Sequence, residues 1–302
     1  MIRTVTGDIE LGDGPVLVHE HLQIDLSHNK GPETVLGPSD AEDIIADLKK
    51  TAQAHSVRAI GDLSVPGSGR DPEALRRIAE QSGVAVVCAT GFYWDPMPAP
   101  AAEGTKESVR DTMIAEIRTG IGDTGIRCGV IKIGTDVGEQ SAAVERVFRA
   151  AALAARETGA AIITHTSTPD QGQWHVDVLE DEGADLGRVL ISHQHTAKNF
   201  ADIVALTDRG VYVGFDQIGF AKGPTPAQIA DLTRQMCEHG LAKQLIVSSD
   251  VARRVRLHRH GGTSYGTVFS QFVPLLRERG VSEAQINTLL FDNPRRLLTL
   301  AQ

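Results

Sequence analysis

The sequence predicts an α/β chain folded as one (β/α)8, or TIM, barrel, and three observations carry that reading. Eight short runs rich in Val and Ile recur along the 302 residues, apolar throughout rather than alternating, as strands covered on both faces are. Longer amphipathic segments separate them, most closing on a glycine. His, Lys and Asp side chains stand at the C-terminal ends of several runs, the face on which such barrels place their chemistry.

The predicted strands are Val16–His19, Ala59–Leu63, Val84–Thr90, Gly129–Ile133, Ala160–His165, Val189–His193, Val211–Phe215 and Leu245–Ser249. A helix over Ser39–Thr51 is expected to open on a capping box of Ser39 and Glu42. Asp71–Gln81 has Pro72 at its first helical position and Gly83 just past its end. Ser108–Gly120, Ser141–Thr158, Asn199–Asp208 and Pro226–His239 follow the same pattern, with a closing helix near Val268–Arg279. A second capping box, Ser282 and Gln285, starts a short C-terminal helix. Tyr93–Glu103 reads as a proline-stiffened loop over the C-terminal face, with Trp94 expected to pack outward. No repeat or low-complexity linker interrupts the chain, so residues 1–302 are expected to form one domain.

Composition narrows the function. Hydrophobic residues make up 41% and charged ones 23%, ordinary for a globular protein. A net charge of −9 argues against a nucleic-acid partner. Cys88, Cys128 and Cys237 lack metal-site spacing and read as buried, reduced thiols. The first residues show no signal-peptide pattern, and no run nears the roughly 20 apolar residues of a membrane span. A cytoplasmic protein is expected.

Six side chains form the candidate site: His19, His21, Lys132, His165, His193 and Asp250. One residue apart on a strand, His19 and His21 point to one side and can grip one cation. His165 and His193 end neighbouring strands and can hold a second. Asp250 offers an anionic oxygen at the end of strand eight, beside strand one in a closed barrel. Lys132 is the unusual member. Burial beside two cations lowers its pKa, and a neutral amine can take up carbon dioxide to become a bridging carbamate. Singly, each residue has a plainer reading: a satisfied structural histidine, a loop-capping aspartate, or a lysine paired with a carboxylate. A Schiff-base lysine on strand four is a sharper rival. His28, His55, His175, His239, His258 and His260 are expected at the surface or in loops, and His195 stays ambiguous.

With these residues in view, the chain resembles the phosphotriesterase-like family of the amidohydrolase superfamily over essentially its whole length. The matching stretches are Val-Leu-Val-His-Glu-His-Leu at 16–22, Ala-Thr-Gly-Phe-Tyr-Trp-Asp-Pro at 89–96 and Gly-Val-Ile-Lys-Ile at 129–133. They continue with Ile-Thr-His-Thr at 163–166, Ile-Ser-His at 191–193, Gly-Phe-Asp at 214–216, Ser-Ser-Asp at 248–250 and Asp-Asn-Pro-Arg-Arg-Leu-Leu at 292–298. The resemblance implies two divalent ions, zinc first, with manganese, cobalt or iron as alternatives. His19, His21 and Asp250 would hold the more buried ion, and His165 and His193 the more exposed one. Lys132, as N6-carboxylysine, and a hydroxide would bridge them, roughly 3.5–4 Å apart. The hydroxide would attack the substrate, and Asp250 would pass the proton to the leaving group. The resemblance also implies a homodimer.

Substrate choice rests on fewer residues. Lactone-opening members resemble one another in a tyrosine at the position of Tyr93, whose plainer reading is loop packing. Thr196 and Gln217 stand where the efficient organophosphate hydrolase has an acidic residue and a histidine, so that proton relay is absent or differently built. After Asp250, the loop carries Arg253, Arg254, Arg256 and Arg259, which with Lys222 suit a substrate carboxylate or phosphate. A solvated basic loop is the alternative. These residues predict a hydrolase opening a small polar or anionic lactone. Esterase, amidase or organophosphate triester activity on the same metals is the alternative, and a non-catalytic binding protein a distant one.

Overall fold

The computed structural model describes residues 1–93, 97–138 and 140–301. Trp94 therefore lies outside the described residues. Eight parallel strands form the barrel wall: β1 (Val16–Glu20), β2 (Ala59–Asp62), β3 (Ala85–Thr90), β4 (Val130–Gly134), β5 (Ala161–His165), β6 (Val189–Ile191), β7 (Tyr212–Phe215) and β8 (Leu245–Val247). They pair in chain order from β1 to β8, every pair parallel. Helices fill the crossovers, and almost every strand residue is fully buried, as strands of an α/β barrel must be when helices cover one face and the barrel core the other. The architecture is the (β/α)8 barrel that the sequence predicts.

The β8–β1 seam is different. Its two strands share no backbone ladder among the described residues. Instead the Asp250 amide donates to the His19 carbonyl at 3.1 Å, and the His19 amide donates to Ser248 Oγ at 3.1 Å. Strands β6 and β8 also stop two residues short of the predicted ends. The ladder ends because His193 and Asp250 turn into the left-handed region, with φ of 63° and 49°. Such a backbone costs free energy in a non-glycine residue and tends to gather at functional sites.

Four details depart from expectation. The Ser39–Glu42 box does not form: α1 (Ala41–His55) starts after a 3-10 turn, and the Asp40 carboxylate reaches back to the Gly37 amide at 2.9 Å. The sequence reading missed the β5–β6 crossover helix, Gln171–Asp181, because Gly172 and the buried His175 blur its amphipathic pattern and Asp170 makes no side-chain cap. The closing helix begins as a π turn, Val268–Phe272, before Val273–Glu278. Pro274 lacks the N–H a regular turn needs, and a second π turn, Thr288–Asp292, precedes Pro294 for the same reason. The described part of the proline-rich stretch holds a one-turn helix, Ala99–Ala102, rather than loop throughout. The Ser282–Gln285 box forms as expected, and the helix opening on Pro72 is capped by the Asp71 carboxylate, which accepts from the Ala74 amide at 3.0 Å. No helix of the described residues is long and apolar enough to cross a membrane.

Candidate metal centre

Period-two geometry aims His19 and His21 into the barrel mouth. Lys132 points in from the middle of β4, and His165, His193 and Asp250 arrive at or just past the ends of β5, β6 and β8. All six predicted residues line one cavity of about 410 Å³ at the C-terminal face. His19, His21 and Asp250 bring ligand atoms close enough to share one ion, and so do His19, His193 and Asp216. Two glycines permit the crowding. At φ +120°, Gly91 passes so close to the Lys132 carbonyl that a Cβ would sit 2.0 Å from its oxygen. A Cβ on Gly134 would lie 2.7 Å from both His165 Cβ and Tyr93 Cδ2.

The rings are held from behind. His19 Nδ1 lies 2.8 Å from one Asp216 oxygen and His193 Nδ1 2.8 Å from the other. Asp216 also accepts the His193 backbone N–H at 2.9 Å. Ser64 Oγ lies 2.9 Å from His21 Nδ1, and its own amide donates to Asp62. In each of these three imidazoles Nδ1 is thus engaged and Nε2 faces the centre, the orientation a metal-binding histidine takes when its other nitrogen donates to a carboxylate or hydroxyl. His193 Nε2 and His165 Nδ1 approach to 2.9 Å. Asp250 Oδ1 lies 3.3 Å from His21 Nε2 and 3.8 Å from His19 Nε2. Its other oxygen accepts from Gln217 Nε2 at 2.9 Å.

Lys132 is buried with its Nζ 3.5 Å from His19 Nε2 and 3.4 Å from the Thr164 carbonyl, and it forms no ion pair among the described residues. Burial pushes its ammonium down to about 8, against the pull of Asp250 and Asp216. Burial likewise lowers His19 to about 4 and holds His165 well below its usual value, so both rings are neutral at pH 7. For Asp250 burial works the other way, but the histidines around it prevail and hold its carboxyl well below the usual range. Asp216 is held down too: burial is opposed by the attraction and N–H groups of His193 and His19. The neutral His19 and His165 rings, the ionised Asp250 and the buried Lys132 amine make a donor set that fits divalent metal ions.

The predicted substrate residues divide. Tyr93 is buried in the cavity wall, its ring 4.9 Å from that of His165 and 5.5 Å from Lys132 Nζ. Burial drives its phenol well above 10, so it stays a donor. Arg253 and Lys222 line the cavity, as does Lys30, which the sequence reading missed. Arg253 lies over the Phe220 ring at 5.3 Å and donates to Glu33 at 3.2 Å. Arg254 and Arg256 do not line the cavity. Arg254 is pinned to Asp40 at 2.8 Å, Arg256 is buried with Nη2 on the Ile218 carbonyl at 2.9 Å, and Arg259 pairs with Asp43 at 3.1 Å. Thr196 lines the wall and donates to the His193 carbonyl at 2.8 Å.

Two histidines expected in loops or left ambiguous are buried. His175 bonds Thr135 at 2.9 Å and Thr164 at 3.1 Å on the outer side of β4 and β5. His195 packs beside Phe215 with its Nδ1 unpartnered. Sequence reasoning also missed the supporting work of Asp216 and Asp62. Asp216 was detectable, since it ends a strand as the ligand candidates do.

The sequence model of the phosphotriesterase family matches residues 1–298. The chain belongs to the phosphotriesterase family. It is 34% identical over 284 residues to the phosphotriesterase homology protein of Escherichia coli, covering 93% of this chain and 96% of that one. The crystal structure of that E. coli protein, complexed with phosphate in its active site, superposes with a TM-score of 0.90 at 31% identity, covering 95% of this chain and 99% of that one. An aryldialkylphosphatase from Saccharolobus solfataricus is 26% identical over 303 residues, 95% of each chain. The chain is thus a hydrolase of the phosphotriesterase family with a metal-binding centre.

Proposed function

We propose that this hydrolase opens a small, polar, anionic lactone. One observation carries the reading. The cavity floor holds the donor set, while its wall presents the Tyr93 hydroxyl-bearing ring and the cationic Lys30, Lys222 and Arg253. His19, His21 and Asp250 would hold one divalent ion, zinc in our reading, and His165 and His193 a second, with carboxylated Lys132 between them. When bound, such a pair supplies a nucleophilic hydroxide at neutral pH and polarises the substrate's carbonyl oxygen.

The chain's own residues do the rest. Tyr93, held protonated by burial, donates to the ring oxygen or carbonyl of a bound lactone. Arg253, braced by Phe220 and Glu33, receives the substrate's anionic group with Lys222. Asp250 takes the proton released in the attack. Gln217 holds one of its oxygens, and neither Gln217 nor Thr196 titrates near neutrality, so these two residues give the proton no acid–base path outward. It returns to the leaving oxygen, which in a lactone is a basic alkoxide still tethered to the product and in need of a proton. An acidic aryl leaving group gains less from that return. The phosphate in the active site of the E. coli relative is in keeping with an anionic ligand. A triester side activity is the second reading, favoured by the similarity to the Saccharolobus aryldialkylphosphatase.

Initial rates of metal-loaded protein, reconstituted with bicarbonate, test this on neutral lactones, acidic or phosphorylated sugar lactones, simple esters, N-acyl amino compounds and one organophosphate triester. The expected result is a kcat/KM for an anionic lactone orders of magnitude above the rest. A triester or amide in first place would overturn the substrate assignment and leave the metal centre standing.

A further inference from the structure

Between His19 and His21 stands Glu20, and strand alternation points it away from the cavity. Its side chain is wholly buried, yet it meets no cation at ion-pair distance among the described residues; both oxygens go to backbone amides. Oε1 accepts from Ser249 N at 2.7 Å and Oε2 from Val251 N at 2.8 Å. Those amides flank Asp250, whose own N–H goes to the His19 carbonyl at 3.1 Å and whose φ is 49°. Three consecutive N–H groups after β8 therefore all donate to β1. This is the seam without a backbone ladder, and the candidate ligands of one ion face each other across it: His19 and His21 on one side, Asp250 on the other.

A buried carboxylate is costly unless its lone pairs are filled. A left-handed aspartate relaxes toward the ordinary extended form unless its neighbours forbid it. Each problem answers the other here. We propose that Glu20 is a positioning residue that clamps the turn around Asp250 to β1, and so sets the spacing of the Asp250 carboxylate from His19 and His21. This rests on reading the site as a metal centre. Glutamine is nearly isosteric but cannot do the same work, because its NH2 would face one of the two amide donors.

Co2+ titration of metal-stripped protein, followed by equilibrium dialysis and by visible absorption, tests the assignment. Glu20→Gln is expected to weaken Co2+ binding at the tighter site by roughly 10–100-fold, as loss of an orienting partner does, and to alter the absorption bands of that ion. In an Asp250→Asn background, the same Glu20→Gln change is expected to alter affinity by less than about threefold, since the ligand it positions has been removed. Unchanged affinity and bands in Glu20→Gln, or an equal loss in both backgrounds, would overturn the clamp. Wild-type protein that binds no Co2+ would sink the metal reading instead. If Glu20→Gln does not fold, amide exchange in the wild type decides. The Ser249 and Val251 protons are expected to be strongly protected, and exchange at the rate of open loop amides would overturn the proposal.

Discussion

The cavity has a floor and a rim, and they are built by opposite rules. On the floor, His19, His21 and His193 each have the far nitrogen engaged by a carboxylate or hydroxyl, and Asp250 is held by Gln217. All four side chains are buried. At the rim, Arg253 has Phe220 and Glu33, and its side chain remains a quarter exposed. Desolvated, hydrogen-bonded groups cannot move without leaving a buried polar atom unsatisfied, whereas groups near water can be exchanged at little cost. The comparison teaches that the floor is fixed by its supports while the rim is free to vary, so that under the proposed function the floor would carry the chemistry and the rim would select the substrate.

Substitutions can break that contrast in order of effect. Asp250→Asn removes the proposed proton carrier and a candidate anionic ligand together, and kcat/KM is expected to fall roughly 10²–10⁴-fold on every substrate. A loss confined to one substrate class would move Asp250 to the rim. Asp216→Asn keeps all six ligand candidates but disturbs two imidazoles at once. Metal affinity by chelator competition should fall roughly 10–100-fold, with the same substrate ranking as the wild type. Arg253→Ala should raise KM for anionic lactones by roughly three- to tenfold, the scale of one partly exposed charge-assisted bond. Its kcat, and KM for neutral lactones, should stay near wild type. Equal changes for neutral and anionic substrates would show that Arg253 supports the loop rather than binding substrate.

The smallest effect on activity is expected at His175, which lies behind the floor. Burial lowers this ring from 6.5 to about 3. Between those values the unfolded chain takes up a proton and the folded chain does not. Its contribution is therefore fully present above pH 6.5 and is lost as pH falls toward 3, by up to about 1.4 kcal/mol per unit. Urea midpoints of metal-stripped protein should accordingly fall less steeply with acid in His175→Gln than in the wild type. Parallel pH curves would refute the assignment.

What could be read in advance followed from local chemistry. Strand runs such as Ala-Ile-Ile-Thr-His at 161–165 carry both their burial and their catalytic end in a few residues, so the barrel and the ligand candidates were legible together. The arginine loop was not. Arg253, Arg254, Arg256 and Arg259 look alike in the chain, but Asp40, Asp43 and the Ile218 carbonyl engage three of them, and those partners come from distant segments. His175 was misplaced for a related reason: the helix that buries it has a weak amphipathic pattern.

The sequence by itself determined the alternation of strand and helix, the order of the strand-end ligand candidates and the chemical types available at the mouth. These depend on side-chain periodicity and on neighbours a few residues away. Tertiary structure alone decided which carboxylate serves which ring. Asp216 reaches His19 across 197 positions and Glu20 reaches Ser249 across 229. Such pairings exist only once the barrel brings its first strand up to the ends of its last two, because a hydrogen bond acts over about 3 Å of space and is blind to distance along the chain.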